Sequence, residues 1–368
     1  MSKNLIWIDP SPLIFNVDTP LSRPLGGTES AVCYLCKNLA KLGHNVSLIN
    51  YCNEISTISG VKHFPITQNG EILKYLFEYL KPDYIFIVNT SGPYSQQLKP
   101  LLGKKTKIVE FLQHDWNQQA VSACKIGIPY VDFYMFVSEY QKIMYIENHG
   151  VDPEKVIISR NAMSPPCHIQ ENDFDNILEN KEFTMIYTST PWRGLDLLVE
   201  LFPTIKKEHP EIKLKVFSSL KVYQQDNTED KKFQPLYEKC KNTDGIEYIG
   251  SISQTELSKE LRKSLLYFYP NTFPETSCIA VIEAMSTGNY IVAPKLGALP
   301  ETTNGMGTLI EPNNNLLVYV DRVTKFLNNW KNRPDIVKTH LKKQMQLYQN
   351  EFTWENRAKN FINLLEKN

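Results

Sequence analysis

Two glutamates, Glu275 and Glu283, stand on either side of a seven-residue interval in the sequence. Glu275 follows Pro274, and Glu283 lies among small and aliphatic residues from Ala280 to Met285. Since an α-helix repeats every 3.6 residues, this spacing places both carboxylates on a similar helix face. A buried carboxylate needs partners, and Glu283 could accept from both hydroxyls of a ribose. Spacing alone does not distinguish this ribose-binding role from a purely structural one, in which one acid lies at the N-terminus of the helix and the other forms a buried salt bridge.

The residues that precede this helix could supply backbone donors. Ser277, Cys278 and Ile279 stand where the predicted helix 280–287 begins. The first N–H groups of a helix have no intrahelical acceptor, and they attract anions. We therefore expect these amides to face sugar hydroxyls or phosphate.

A second candidate loop contains Gly26 and Gly27, followed by Thr28 and Glu29. Paired glycines let the backbone approach a ligand closely, and Thr28 can cap the helix that follows. Taken alone, a glycine pair before a helix is more often a plain turn. It is also not the GxGxxG fingerprint of dinucleotide enzymes, which disfavours a nicotinamide-dependent oxidoreductase.

Short apolar runs alternate with helical patterns along most of the chain, which predicts parallel βαβ units. The expected strands and helices are Leu5–Ile8, Ser30–Leu42, Val46–Asn50, Tyr84–Val88, Ile108–Leu112, Phe133–Val137, Thr184–Thr188, Leu195–Glu208, Lys213–Phe217, Asp230–Lys241, Ile246–Ile249, Gln254–Lys263, Leu265–Tyr269, Ala280–Thr287 and Tyr290–Ala293.

The alternation stops at Pro165-Pro166 and the polar stretch that follows. We therefore predict two Rossmann-like domains of an α/β fold, residues 1–163 and 183–345, joined by a linker at 164–182. Residues 346–368 are expected to form a C-terminal helix that returns to the first domain.

Bulk composition excludes several classes of protein. The 368 residues carry a formal net charge of +0, so nothing points to nucleic acid. Seven cysteines, an odd number, argue against a secreted disulfide framework, and Cys33 and Cys36 lie in an apolar helical run that favours core packing over zinc.

No apolar run has the length of a membrane span, and the N-terminus lacks a signal-peptide pattern. A cytoplasmic protein is therefore predicted. The lysines at 104, 105 and 107 suit a solvated turn better than a lipid surface, which leaves peripheral membrane contact open. No metal-ligand set is evident, since the histidines are dispersed and no strand-end loop carries Asp-x-Asp.

Several motifs together resemble family 4 of the glycosyltransferases. They are Gly26-Gly27-Thr28-Glu29, Lys41 to Val46, Val137-Ser138-Glu139, Arg160-Asn161-Ala162, Pro274 to Gly288, Gly297 to Glu301 and Gly307 to Pro312. They occur in the family's order and cover nearly the whole chain. The resemblance implies the GT-B fold, in which two Rossmann-like domains face each other across a cleft, and a retaining, nucleotide-sugar-dependent enzyme.

The resemblance also implies roles for individual residues. Glu283 would bind the donor ribose, Glu275 a hydroxyl of the donor sugar, and Gly27 would lie near the diphosphate or the acceptor. His114, in a loop after a predicted strand, looks like the family's histidine beside the donor sugar. Asp115 is then its neighbour rather than a catalyst.

The chain departs from the family between residues 187 and 196. The family has an arginine soon after this strand and a lysine before the glycine, and both hold the diphosphate. Here Arg193 replaces the lysine, and no basic residue stands at the arginine position. Arg193 can still bind phosphate bidentately, with Thr188, Ser189 and Thr190 as further donors. Lys295 or Lys221 could provide the second charge.

The resulting prediction is a retaining transferase that moves a sugar from a UDP- or GDP-linked donor to a hydroxyl of a glycan or glycoconjugate, without metal or cofactor. Its catalytic residues would be His114, Glu275 and Arg193. Donor binding would involve Gly26, Gly27, Ser189, Arg193, Ser277, Cys278, Ile279 and Glu283. Two alternatives stay open: a GT-B enzyme of another type, such as a nucleotide-sugar epimerase or a phosphorylase, and a catalytically silent nucleotide- or carbohydrate-binding module.

Overall fold

The structure is a computed structural model that describes residues 2–89, 93–224, 227–312 and 315–367. Its described residues form two compact units. Unit 1 contains those within Met1–Thr19, Gly27–Asn161 and Trp354–Asn368, and unit 2 those within Pro20–Gly26 and Ala162–Thr353.

Strands and helices alternate in both units, as the sequence predicts. The strands are β1 Asn4–Ile8, β2 Asn45–Asn50, β3 Ser56–Ile58, β4 Val61–Pro65, β5 Tyr84–Val88, β6 Lys107–Leu112, β7 Phe133–Phe136, β8 Val156–Ile158, β9 Glu182–Tyr187, β10 Lys213–Val216, β11 Ile246–Tyr248, β12 Ser264–Phe268, β13 Tyr290–Pro294 and β14 Thr308–Ile310. The α-helices are α1 Thr19–Ser22, α2 Gly27–Lys41, α3 Gly70–Leu80, α4 Pro93–Leu98, α5 Cys124–Gly127, α6 Glu139–His149, α7 Phe174–Glu179, α8 Leu195–Glu208, α9 Asn227–Lys231, α10 Gln234–Asn242, α11 Gln254–Lys263, α12 Ile279–Ser286, α13 Leu299–Thr302, α14 Leu317–Asn332, α15 Pro334–Glu351 and α16 Trp354–Lys367.

Unit 1 is built on an eight-stranded sheet in the order β3-β4-β2-β1-β5-β6-β7-β8. All neighbours are parallel except β3 and β4, which are antiparallel. The central strands are apolar on both faces because helices cover both. On one face Trp7 stacks on Phe86, with ring centroids 4.4 Å apart, and Phe361 of α16 lies 5.8 Å from Trp7. The last helix of the chain is therefore part of unit 1.

Unit 2 is built on a six-stranded parallel sheet in the order β11-β10-β9-β12-β13-β14. Its core is one continuous set of buried apolar residues that includes Met185, Phe202, Tyr267, Val281 and Tyr348. The two-sheet parallel α/β architecture is the one predicted from the alternation of strands and helices.

The strand orders fix where each unit can hold a ligand. In an open parallel sheet, ligands bind beyond the carboxyl ends of the two strands from which the chain winds in opposite directions. In unit 1 these strands are β1 and β5, and in unit 2 they are β9 and β12. The loops after these four strands are therefore the places to look for a site.

The structure differs from the sequence prediction at the expected linker 164–182. Phe174 and Leu178 are 1% exposed each and lie four positions apart, so α7 packs its apolar face into the core of unit 2. A helix of six residues is too short to show periodicity in a polar segment. The expected start of the last segment at 346 likewise falls within α15, whereas the return to unit 1 occurs at Trp354.

Two further differences concern local elements. The single helix expected over Asp230–Lys241 is divided into α9 and α10, because Pro235 suits the first turn of a helix and not its interior. The antiparallel pair β3 and β4 was not predicted, since Lys62 and His63 interrupt any regular apolar pattern there.

Among the described residues, no helix combines the length and the apolar character needed to cross a membrane.

Candidate functional site

The loops at the carboxyl ends of β9 and β12 bring together several residues that the sequence analysis selected. Arg193 ends the loop after β9, and Glu275 lies in the loop after β12. One guanidinium nitrogen of Arg193, Nη1, donates to Glu275 Oε1 at 3.0 Å and to Oε2 at 3.2 Å. Only 4% of the Glu275 side chain is exposed, against 25% for Arg193. The acid at this helix is thus one half of a buried ion pair.

The environment of Arg193 is partly apolar. The guanidinium carbon lies 4.8 Å from the centre of the Phe273 ring, a cation–π distance. Burial by itself lowers the pKa of Arg193, but the Glu275 carboxylate has the opposite effect and the pKa is raised well above its usual value. Arg193 therefore keeps its charge, and Nη2 and Nε are further donors for an anion.

Tyr269, which the sequence analysis did not select, joins Glu275 to the loop after β9. Its hydroxyl donates to Glu275 Oε1 at 2.5 Å and lies 3.3 Å from Ser189 Oγ. Ser189, Arg193, Tyr269 and Glu275 are hereafter the Arg193–Glu275 cluster. Only its position at the end of β12 distinguishes Tyr269 in the sequence.

The start of α12 has an unusual backbone. Cys278 adopts φ 67° and ψ 76°, a left-handed conformation that costs energy for a residue other than glycine. Its carbonyl accepts from the N–H groups of Val281 and Ile282. The N–H groups of Ser277, Cys278, Ile279 and Ala280 have no hydrogen-bond partner within the part of the chain that the structure describes. They are four donors available to a ligand at the positive end of a helix.

Gly297 and Ala298 hold the backbone of Glu275. Gly297 has φ +57°, and a Cβ atom there would lie 2.4 Å from the Glu275 carbonyl oxygen, so only glycine fits. The Ala298 N–H donates to the same oxygen at 2.7 Å. The turn Gly297 to Glu301 thus positions the loop that carries the carboxylate.

Glu283 lies inside α12 and is 2% exposed. Oε1 accepts from the Ser164 N–H at 3.3 Å, a weak bond for a carboxylate. Burial raises the pKa of Glu283 to about 7. The buried salt bridge considered for this pair of glutamates forms at Glu275, while Glu283 keeps acceptor capacity.

The segments that follow β1 and β6 carry the other predicted residues. Gly27 opens α2, whereas Gly26 belongs to the segment Pro20–Gly26 of unit 2. His114 follows β6 and is half-buried. Its carbonyl accepts from Gln141 Nε2 at 2.8 Å and from the Tyr145 hydroxyl at 3.1 Å. The backbone of His114 is therefore fixed by α6.

Asp115 contacts elements of the fold itself. It is 1% exposed and accepts from the Trp116 N–H at 2.9 Å and from the Tyr140 hydroxyl at 3.4 Å. Burial raises its pKa. The Asp115 carboxylate thus bonds to Trp116 and to Tyr140 of α6.

The two lysines considered as second phosphate ligands differ in position. Lys295 pairs with Glu311 at 2.7 Å on an exposed surface. Lys221 lies in the 3₁₀ helix Leu220–Tyr223, and Tyr223 stacks on Trp192 with ring centroids 6.2 Å apart. Because Trp192 adjoins Arg193, the 3₁₀ helix that carries Lys221 packs beside the loop that carries Arg193.

Comparison with known proteins gives independent information. Residues 169–343 match the family described as Glycosyl transferases group 1. The chain is 24% identical over 319 residues to a subunit of the phosphatidylinositol N-acetylglucosaminyltransferase of Arabidopsis thaliana, a match that covers 78% of this chain and 68% of that protein.

Two solved structures share the whole fold. Anabaena Alr3699/HepE in complex with UDP and glucose aligns with a TM-score of 0.72 and 14% identity over 100% of both chains. A glycosyltransferase from Rickettsia africae aligns with a TM-score of 0.71 and 15% identity, over 100% of this chain and 99% of that one.

Proposed function

Because residues 169–343 match the family Glycosyl transferases group 1 and the chain has the fold of solved glycosyltransferases, we propose that it moves a sugar from a nucleotide-sugar donor to a hydroxyl acceptor. The observation that supports this most strongly lies in unit 2. There the loops after β9 and β12 carry the Arg193–Glu275 cluster, and α12, which follows the second loop, begins with N–H groups that have no partner among the described residues and contains the buried Glu283.

The chemistry of these groups in unit 2 suits a nucleoside diphosphate. Departure of the diphosphate leaves negative charge, which Arg193 and the amides from Ser277 to Ala280 would stabilise. Glu283 would accept from the ribose hydroxyls, and Glu275 from a hydroxyl of the sugar. His114 of unit 1 would lie beside that sugar, and Gly26 and Gly27 near the diphosphate or the acceptor.

The finer features of the proposal are retention of configuration, a reaction without metal or cofactor, and a UDP- or GDP-linked donor. The carboxylates that the proposal uses, Glu275 and Glu283, are both assigned to donor hydroxyls, and attack from the face of the leaving group needs no nucleophilic carboxylate. The Arabidopsis relative is named for N-acetylglucosamine transfer and for phosphatidylinositol, which makes UDP-N-acetylglucosamine the first donor to test and a glycoconjugate the first class of acceptor.

A screen by thermal shift tests the donor. We expect UDP or GDP, and the matching sugar nucleotide, to raise the melting temperature, since a ligand that binds only the folded state stabilises it. Release of nucleoside diphosphate that depends on an added acceptor would distinguish transfer from epimerisation or phosphorolysis. A protein that binds the sugar nucleotide but neither hydrolyses nor transfers it would be a silent binding module.

The cytoplasm and contact with a membrane surface are also part of the proposal. Lys104 and Lys105 are exposed, whereas Lys107 pairs with Asp132 at 3.1 Å. Co-sedimentation with phosphatidylglycerol vesicles and with phosphatidylcholine vesicles checks this. If the protein binds membranes through these lysines, it should sediment with the phosphatidylglycerol vesicles and not with the phosphatidylcholine vesicles. The double variant Lys104→Ala, Lys105→Ala should then stay in the supernatant in both cases.

A further inference from the structure

Asn89 occupies the point in unit 1 where three strand-end loops meet. It follows β5 directly, and β5 and β1 are the strands between which the direction of winding changes. Its backbone has φ 43°, in the left-handed region. Asparagine tolerates this conformation better than most residues, because its short polar side chain can bond locally. A strained residue at a strand end is a reason to examine what its side chain holds.

The side chain of Asn89 makes three hydrogen bonds, two to the loop after β6 and one to the first turn of α2. Oδ1 accepts from the N–H of Gln113 at 2.6 Å and from the N–H of His114 at 3.2 Å. Nδ2 donates to Thr28 Oγ1 at 3.1 Å. The two backbone donors fix the orientation of the amide, since the oxygen has to face them. Thr28, Asn89, Gln113 and His114 are hereafter the Asn89 network.

His114 is also held at its carbonyl group. Gln141 and Tyr145 of α6 bind the carbonyl of His114, and both are fully buried. Asn89 binds the N–H of the same residue from the neighbouring strand. Together they restrain both peptide groups that flank the His114 side chain. Through Nδ2, Asn89 also fixes the distance from His114 to the first turn of α2, which carries Gly27 and Thr28.

We propose that Asn89 is a positioning residue for glycosyl transfer, which holds the imidazole of His114 in register with the Gly27-Thr28 start of α2. This inference rests on the proposed function, which gives both loops a part in the reaction. Asn89 itself need not touch the substrate. Its effect is to keep the histidine in one orientation, where an error of about 1 Å can cost about a hundredfold in rate.

Three substitutions separate the side-chain bonds from the backbone conformation. Asn89→Gly removes all three bonds and tolerates the positive φ. Asn89→Asp keeps two carboxylate oxygens for the N–H groups of Gln113 and His114, and the Thr28 hydroxyl can donate to it. Asn304→Gly is the matched control, because Asn304 is an exposed asparagine of unit 2 with φ 48°.

The first measurement needs no substrate. The chain contains 7 histidines, and the ¹³Cε1 signal of His114 can be assigned by its loss in His114→Gln. We expect Asn89→Gly to shift or split this signal and to speed amide hydrogen exchange at residues 113 and 114. Asn89→Asp should restore both, and Asn304→Gly should change neither. A folded Asn89→Gly protein with the wild-type His114 signal would overturn the proposal.

The second measurement uses UDP-N-acetylglucosamine as the donor, with release of UDP as the readout. We expect Asn89→Gly to lower kcat about tenfold with KM changed less than about twofold, and Asn89→Asp to recover most of the loss. A purely structural role would lower the melting temperature and leave kcat per folded molecule unchanged. If the wild-type protein does not turn over this donor, the proposed function fails for that sugar, while the His114 signal still decides the role of Asn89.

Discussion

In unit 2 the strand-end cluster is held by charge, whereas in unit 1 it is held by neutral groups. Arg193 and Glu275 form an ion pair with the carboxylate almost fully buried, and a buried tyrosine hydroxyl completes it. Asn89 instead links peptide N–H groups and a threonine hydroxyl. A charged cluster can exchange its partners for the charge of a ligand, but it responds to pH and salt. A neutral network keeps its groups in position with little dependence on either.

The largest expected effect is at Glu283. Replacing it by Ala should abolish binding of UDP or GDP in calorimetry without unfolding the protein, because the ribose hydroxyls lose their acceptor. Glu110→Gln is the matched control, since Glu110 is a buried glutamate of β6 in unit 1 that accepts from Ser95 at 2.5 Å. Unchanged binding in Glu283→Ala would remove Glu283 from the site.

Arg193→Ala should weaken nucleoside diphosphate binding about a hundredfold and leave Glu275 buried without its cation. Loss of one partner of a buried pair destabilises a protein by about 3 kcal/mol, measurable as a lower melting temperature. Arg193→Lys keeps the charge and should recover part of both losses. An Arg193→Ala protein of wild-type affinity would place the phosphate elsewhere.

Binding should depend on pH through Glu283. The pKa of Glu283 is raised by burial to about 7, so the group is mostly protonated at pH 6 and mostly ionised at pH 8. Hydroxyl donors favour the ionised form, and UDP affinity should therefore rise about tenfold over this range. The same raised pKa means that Glu283 lowers the stability of the ligand-free fold as the pH rises from about 4.5 to about 7, and the loss levels off above pH 7. In Glu283→Gln, the contribution of Glu283 to the pH dependence of UDP affinity and of stability should be lost. If UDP affinity in this variant depends on pH as steeply as in the wild type, Glu283 is not the titrating group at the nucleotide site.

The smallest effect is expected at Lys221, the candidate for the second positive charge at the diphosphate. Lys221→Ala should weaken UDP binding about threefold and reduce its dependence on salt, as for one partly exposed charge. Lys295→Ala is the control, because Lys295 pairs with Glu311 on the surface. A larger effect at Lys295 than at Lys221 would show that Lys295 supplies the second charge at the diphosphate.

Much of the fold could be predicted because the central strands are apolar and bounded by turns. Tyr84–Val88, Leu195–Glu208 and Gln254–Lys263 have the bounds that the pattern predicts. What failed was short or irregular: α7 in a polar stretch, the β3–β4 pair and the break at Pro235. In these places tertiary packing, not local pattern, determines the structure.

At the site, the sequence could indicate Glu275, Glu283 and Arg193 because each stands in a loop or helix with a recognisable pattern. It could not indicate Tyr269, Ser164 or Asn89, which act through contacts with residues in other loops and elements. A single tyrosine, serine or asparagine has no sequence signature of its own. Their roles depend on strand order, which the sequence does not state.

Hydrogen exchange at saturating nucleoside diphosphate tests the central claim most directly, namely that the nucleotide binds at the ends of β9 and β12. The N–H groups of Ser277 to Ala280 have no partner among the described residues, and a bound diphosphate would supply one. We predict slower exchange in residues 188–194 and 273–283 with UDP or GDP, and no such change in Glu283→Ala. Binding with unaltered exchange in both segments would contradict the account.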